Sequence, residues 1–173
     1  MSKAFTKDES WEEPIIPARA PLPAGVPNYV TPRGLRMLRA ELTGLEAQRK
    51  GLDVHGSDSA EYLRRLAVVT TRATELTARI ASAEVVDPRR QPRGEVRFGA
   101  RVTLRVASGA RAGEERRLEI VGIDEADAAS GRIAFTAPIA RAILGRAAGD
   151  VAAVQTPRGR ELVEVVSIDY AEG

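Results

Sequence analysis

TPRGLRMLRAELTGL, residues 31–45, decides the architecture. Thr31 offers a hydroxyl to the first free amides of a helix, and Pro32 stands at the first helical position, where its missing N–H costs nothing. Leu35, Leu38, Leu42 and Leu45 follow at spacings of 3, 4 and 3, which is the seam of a coiled coil. The pattern ends near Lys50-Gly51. A short polar stretch, Asp53 to Asp58, then reads as a connection, with Ser57 or Asp58 capping a second helix. In that helix Leu63, Leu66, Val69, Ala73, Leu76, Ile80 and Ala83 share one side. Two helices joined so closely lie antiparallel, seam against seam, with arms on the order of 30 to 40 Å at about 1.5 Å per residue. One seam gives such a hairpin little core, so it projects from something more compact.

Outward from the hairpin (29–87) the composition shifts on both sides. Residues 1–28 carry Pro14, Pro17, Pro21, Pro23 and Pro27 with mixed charge and no period, and read as a disordered or extended arm. Trp11, beside Glu12 and Glu13, is either an anchor for a partner or an exposed aromatic in that arm. On the other side Pro88 and Pro92, with Arg89, Arg90 and Arg93, mark a linker over 88–93. From 94 to 173 the period becomes alternating: Val96/Phe98, Val102/Leu104/Val106, Leu118/Ile120, Ile133/Phe135 and Leu162 to Ile168 are separated by Gly- or Asp-rich turns. This predicts a small antiparallel β domain, and the whole chain an α+β fold. Within it, Pro138 to Gly145 has the punctuation of one short helix, with Ile139, Ile143 and Leu144 toward the sheet and Arg141 and Arg146 away.

Composition removes several functional classes. The 173 residues include no cysteine, which excludes a disulfide scaffold, a thiol nucleophile and thiolate metal sites. The single histidine, His55, argues against a His-rich metal centre and a Ser-His-Asp triad. Lys+Arg number 26 against 24 Asp+Glu, a net charge of +2, so bulk charge does not point to a duplex-DNA binder. No apolar run approaches the roughly 20 residues of a membrane span, and the acids of MSKAFTKDESWEE stand where an export signal carries its apolar stretch. A cytoplasmic protein is expected.

The hairpin, the proline-bearing linker and a β domain containing APIARAILGRAAGD (137–150) together resemble the bacterial GreA/GreB transcript-cleavage and elongation factors, whose signature runs close to SPIARALLGKxxGD. YVTPRGLRMLRAEL (29–42), FGARVTL (98–104) and RLEIVGIDEAD (117–127) are similar to the family as well, so the resemblance covers about 29 to 170. It implies a coiled-coil hairpin followed by an FKBP-like domain. It also implies bacterial RNA polymerase as partner, with the β domain seated on the largest-subunit coiled coil at the rim of the secondary channel and the hairpin reaching toward the active centre. Ala137, Pro138, Ile139 and Arg141 are the docking residues by this resemblance. Their other reading is purely structural: Pro138 starts a helix and Ile139 packs it. Thr136-Ala137 departs from the acidic or hydroxyl-bearing pair usual there.

In the family, tip acids in a motif like GDxxENAEY help hold a second Mg²⁺ and an attacking water while the polymerase does the chemistry, so no catalytic residue, resident metal or cofactor is expected here beyond that shared Mg²⁺. Setting Ala60-Glu61-Tyr62 on the family's AEY puts Asp58 and Ser59 at Glu and Asn, and His55 at the first Asp. One acid is replaced, Asp58 is a methylene short, and Asp53 substitutes only if the connection bends differently. Both arms also look shorter than the family's. Asp53, His55, Asp58, Ser59 and Glu61 therefore have three readings: a solvated turn, a modulating tip without cleavage chemistry, or a metal-holding tip. Arg64 and Arg65 either meet nascent RNA phosphate or are solvated charge. The favoured reading is a polymerase regulator, not an enzyme, with little or no stimulation of cleavage. Its rivals are an active cleavage factor, a stand-alone interaction hairpin, and an FKBP-like prolyl isomerase, for which the β domain offers only Phe98, Phe135 and Tyr170 as pocket rings.

Overall fold

The computed structural model describes residues 19–54, 59–157 and 159–170. Two helices, α1 (Pro32–Val54) and α2 (Ala60–Ala81), form the hairpin. Thr31 caps α1 as expected, its Oγ1 accepting from the Gly34 N–H at 3.0 Å. The helix does not stop at Lys50-Gly51 but continues to Val54, because one glycine in an exposed helix costs only about 1 kcal/mol, too little to end it. The cap of α2 is Ser59 rather than Ser57 or Asp58, with its Oγ accepting from the Tyr62 N–H at 3.1 Å. His55 to Asp58 lie outside the described residues. Leu38, Val69 and Leu76 are buried in the seam, flanked by Leu35, Leu42, Leu45 and Ile80. Toward the tip the seam opens, and Leu63 is 55% exposed. Arms of 23 and 22 residues are each about 33 to 35 Å long.

At the base, β1 (Tyr29–Val30) pairs in parallel with β2 (Glu84–Val85), the Glu84 N–H donating to the Asn28 carbonyl at 2.8 Å and the Val86 N–H to that of Val30 at 2.9 Å. Of the arm read as disordered or extended through residue 28, residues 19–28 have little regular structure and are anchored at Arg19 and Asn28. Asn28 is buried and donates through Nδ2 to the Arg79 carbonyl (2.8 Å) and the Ser82 Oγ (3.0 Å). Partners this distant in sequence leave no trace in local composition. The linker is ordered too: Asp87 caps a 3₁₀ turn over Pro88–Arg90, against which Gly99, at φ +85, comes so close that a Cβ would lie 2.6 Å from the Pro88 Cγ.

The β domain consists of β3 (Ala100–Val106), β4 (Glu115–Val121), β5 (Arg132–Ala134), α3 (Pro138–Ile143), β6 (Val151–Thr156) and β7 (Gly159–Tyr170). Its sheet runs β5-β4-β3-β7-β6. All pairings are antiparallel, as expected, except β4 with β5, which run parallel. Two 3₁₀ turns, Ile123–Glu125 and Ala128–Ser130, carry the chain back so that Arg132 re-enters beside Glu119 in the same direction. A register shift between Thr103 and Leu104 bends β3 against β7 and curls the sheet around α3. Val96 and Phe98, read as strand, are instead a buried approach segment: the Val96 N–H donates to the Arg146 carbonyl and its own carbonyl accepts from Gly145. Val102, Leu104, Ile120, Val163 and Val165 make the core with Ala140 and Ile143 of α3. No helix among the described residues is long and apolar enough to cross a membrane.

Candidate functional site

The six-residue α3 is held from below and open above. Pro138 occupies its first turn, and the Ala137 carbonyl accepts from the Arg141 N–H at 2.9 Å. Ala140 and Ile143 are fully buried against the sheet, and Ile139 is half-buried on the same core. Pro138 and Arg141 face outward and are exposed, with Ala137 half-buried between them. Gly145, at φ +79, ends the helix, and its N–H donates to the Val96 carbonyl at 2.7 Å. Gly149-Asp150 then turns the chain: Asp150 Oδ2 accepts from the Ala147 N–H at 2.9 Å. The docking candidates thus share one corner, in which Ile139 packs inward while Pro138 and Arg141 are exposed.

The tip candidates are divided. Asp53 lies in the last turn of α1, and His55 and Asp58 lie outside the described residues. Ser59 is spent as the cap of α2. Glu61 sits in the first turn of α2 and pairs with Arg65 at 2.7 Å across one helical turn, so two tip candidates neutralise each other. Arg64 is exposed beside them. Among the described residues no group of three or more His, Cys, Asp or Glu is placed to hold a metal ion. The residues aligned with the family's metal-holding acids, His55 and Asp58, lie outside the described residues, and Glu61, which matches the glutamate of AEY, pairs with Arg65.

Phe98 and Phe135 close on Tyr29, with ring centroids 5.5 to 5.8 Å apart, where the hairpin base meets the sheet. A cleft of about 580 Å³ borders this triad. Tyr170 stands apart from them: its hydroxyl donates to the Glu95 carbonyl at 2.6 Å and accepts from the Arg97 N–H, and burial pushes the phenol above its ordinary pKa. The rings named for an isomerase pocket therefore serve two separate packing sites.

Sequence reasoning missed a charged joint between hairpin and sheet. Glu125, its side chain 1% exposed, accepts from the Thr31 N–H at 2.8 Å through Oε1 and from the Thr31 Oγ1 at 2.5 Å through Oε2. Arg33 approaches the same carboxylate at 3.6 Å and Glu119 at 3.6 Å. Neighbouring Asp124, 6% exposed, lies 3.4 Å from the Arg79 Nε and accepts from Arg19 at 2.5 Å. Arg19 also donates to Glu41 of α1 at 2.5 Å. Burial opposes the Arg19 charge, and the bonds to Glu41 and Asp124 outweigh it, raising its pKa. The one available signal was Asp124-Glu125, two adjacent acids shortly after an apolar strand and Gly122.

Comparison with known proteins agrees with this geometry. Residues 91–170 match the family model for the transcription elongation factor GreA/GreB C-terminal domain. The chain is 35% identical over 157 residues to transcription elongation factor GreB of Neisseria meningitidis, covering 83% of this chain and 94% of that protein. It is 38% identical over 156 residues to transcription elongation factor GreA of Methylococcus capsulatus, covering 82% and 96%. A solved structure of a prokaryotic transcription elongation factor GreA/GreB from Nitrosomonas europaea is 25% identical, with 82% and 98% coverage and a TM-score of 0.40. With similarity running through the hairpin, the linker and the sheet alike, the chain belongs to the GreA/GreB family of transcription elongation factors.

Proposed function

We propose that this protein is a cytoplasmic regulator that docks on RNA polymerase through its β domain at the rim of the secondary channel, inserts its hairpin, and modulates transcription with little or no stimulation of transcript cleavage. What supports the second half is the tip sequence: His55 stands at the first acid of the family's motif and the shorter Asp58 at its glutamate. Glu61, which matches the glutamate of AEY, pairs with Arg65 on the first turn of α2. What Mg²⁺ supplies in the family, activation of a water for attack on RNA, belongs to the polymerase. This chain's part is to occupy the channel. Family kinship and the outward Pro138–Arg141 corner support the docking half.

Two measurements test it. In a cleavage assay on a stalled, backtracked elongation complex, short 3′ RNA fragments are expected at the level of polymerase alone. Their release by this protein, abolished by Asp58→Ala, would overturn the reading. In a polymerase-binding titration at low salt, Arg141→Ala is expected to weaken association about 5- to 30-fold, the size of an ordinary hot-spot truncation. Because Arg141 is exposed, its folding stability should shift by less than about 0.5 kcal/mol. Unchanged affinity would move the docking site elsewhere, and no association at all would remove the polymerase from the account.

A further inference from the structure

We infer that residues 19–28 are a strap that fixes the direction in which the hairpin leaves the β domain, with Arg19 as its positioning residue. The strap touches all three bodies that must be held in register. Asn28 binds the end of α2 through Arg79 and Ser82, and the Arg79 guanidinium in turn donates to the Ala20 carbonyl. Arg19 spans the joint itself, with one nitrogen on Asp124 of the β domain and another on Glu41 of α1. Planar, forked donors suit a bridge between two carboxylates on different elements, which a point charge does less well.

The dependence runs deeper than surface pairing, because of what Asp124 would lose. Its side chain is 6% exposed, its Oδ2 makes no hydrogen bond, and its Oδ1 is bonded by Arg19. Without the strap this buried carboxylate keeps, among the described residues, the ion-pair approach of Arg79 at 3.4 Å. A buried charge stripped of its hydrogen bond is strongly disfavoured, and the relief open to it is hydration, which requires the joint to part. The Glu125–Thr31 bonds at the start of α1, the Arg33–Glu119 approach and the Tyr29 ring contacts would remain as a pivot. Loss of the strap thus removes the attachment that ties α1 to Asp124, and hairpin direction becomes a broader distribution about the contacts that remain. The strap acts within the isolated protein, whether or not the hairpin enters a polymerase.

The absence of cysteine makes the test clean. Spin labels on Glu46→Cys in α1 and Gln155→Cys in β6 report the hairpin-to-sheet distance in the full chain by pulsed electron resonance. The parent should give one narrow distribution. Arg19→Ala, and a chain lacking residues 1–20, should broaden it about twofold or add a second maximum, with Arg19→Lys in between. Glu41→Ala, which cuts only the exposed half of the bridge, should broaden it less and keeps the test available if Arg19→Ala does not fold. Distributions identical to the parent in the truncated chain and in Glu41→Ala would overturn the strap. These distances are read without polymerase, so a failure of the strap and a failure of docking are separate results.

Discussion

Gly34→Ala is expected to destabilise the protein by about 2 to 4 kcal/mol, although alanine is the better helix former by about 1 kcal/mol. A Cβ at Gly34 would lie 2.1 Å from the Glu125 Cδ and 2.2 Å from its Oε1. In an exposed glutamate that end would swing aside, but here it is held by the Thr31 N–H and hydroxyl in a buried site. Retreat therefore breaks two hydrogen bonds to a charged group, each worth roughly 1.5 to 3 kcal/mol, and also disturbs the cap of α1. Gly44→Ala supplies the internal control. It lies in the same helix with nothing within 4 Å of its would-be Cβ, and should stabilise by up to about 1 kcal/mol. Urea unfolding of the two variants should shift the midpoint in opposite directions. A Gly34→Ala protein as stable as the parent would mean that the Glu125 clamp is not what brings helix and sheet so close.

Ile143→Ala should cost a similar 2 to 4 kcal/mol, roughly the usual range for such a truncation, by a different route. Ile143 is fully buried between α3 and the sheet, and truncation leaves a cavity beneath a helix of only six residues. So short a helix has no stability of its own and is held by that packing and by the Gly145–Val96 bond. The loss should appear in urea unfolding and also as weakened polymerase binding, since the Pro138–Arg141 corner rests on this side chain. Arg141→Ala should reduce binding alone. If Ile143→Ala lowers stability but leaves affinity untouched, the corner does not depend on α3 being rigid.

Local features of this chain were readable where the physics is local. Thr31-Pro32 starts α1 because a hydroxyl and a pre-set φ act within one turn, and Leu38, Val69 and Leu76 are buried because a period of three and four selects one face. The proline and glycine at the ends of α3 worked for the same reason. The failures share a cause as well. Glu125 meets Thr31 across 94 residues and Arg19 meets Asp124 across 105, and no window of sequence contains both partners. The parallel entry of β5 depends on how two 3₁₀ turns fold back, which alternation of apolar residues does not encode. Val96 and Phe98 alternate like a strand but are taken up by α3 and by the Tyr29–Phe135 rings. At the tip, Ser59 wins the cap from Asp58 because either can serve and the packing of α2 sets the register.

Tyr29–Val30 and Glu84–Val85 lie side by side and run the same way, so the chain departs from the base and comes home at one spot. That makes the hairpin a cassette. Excising about seven residues from each arm keeps the leucines in phase and trims the projection by about 10 Å without touching the sheet. A graded set of such variants would act as a molecular ruler, reporting the hairpin length at which any effect on RNA synthesis sets in.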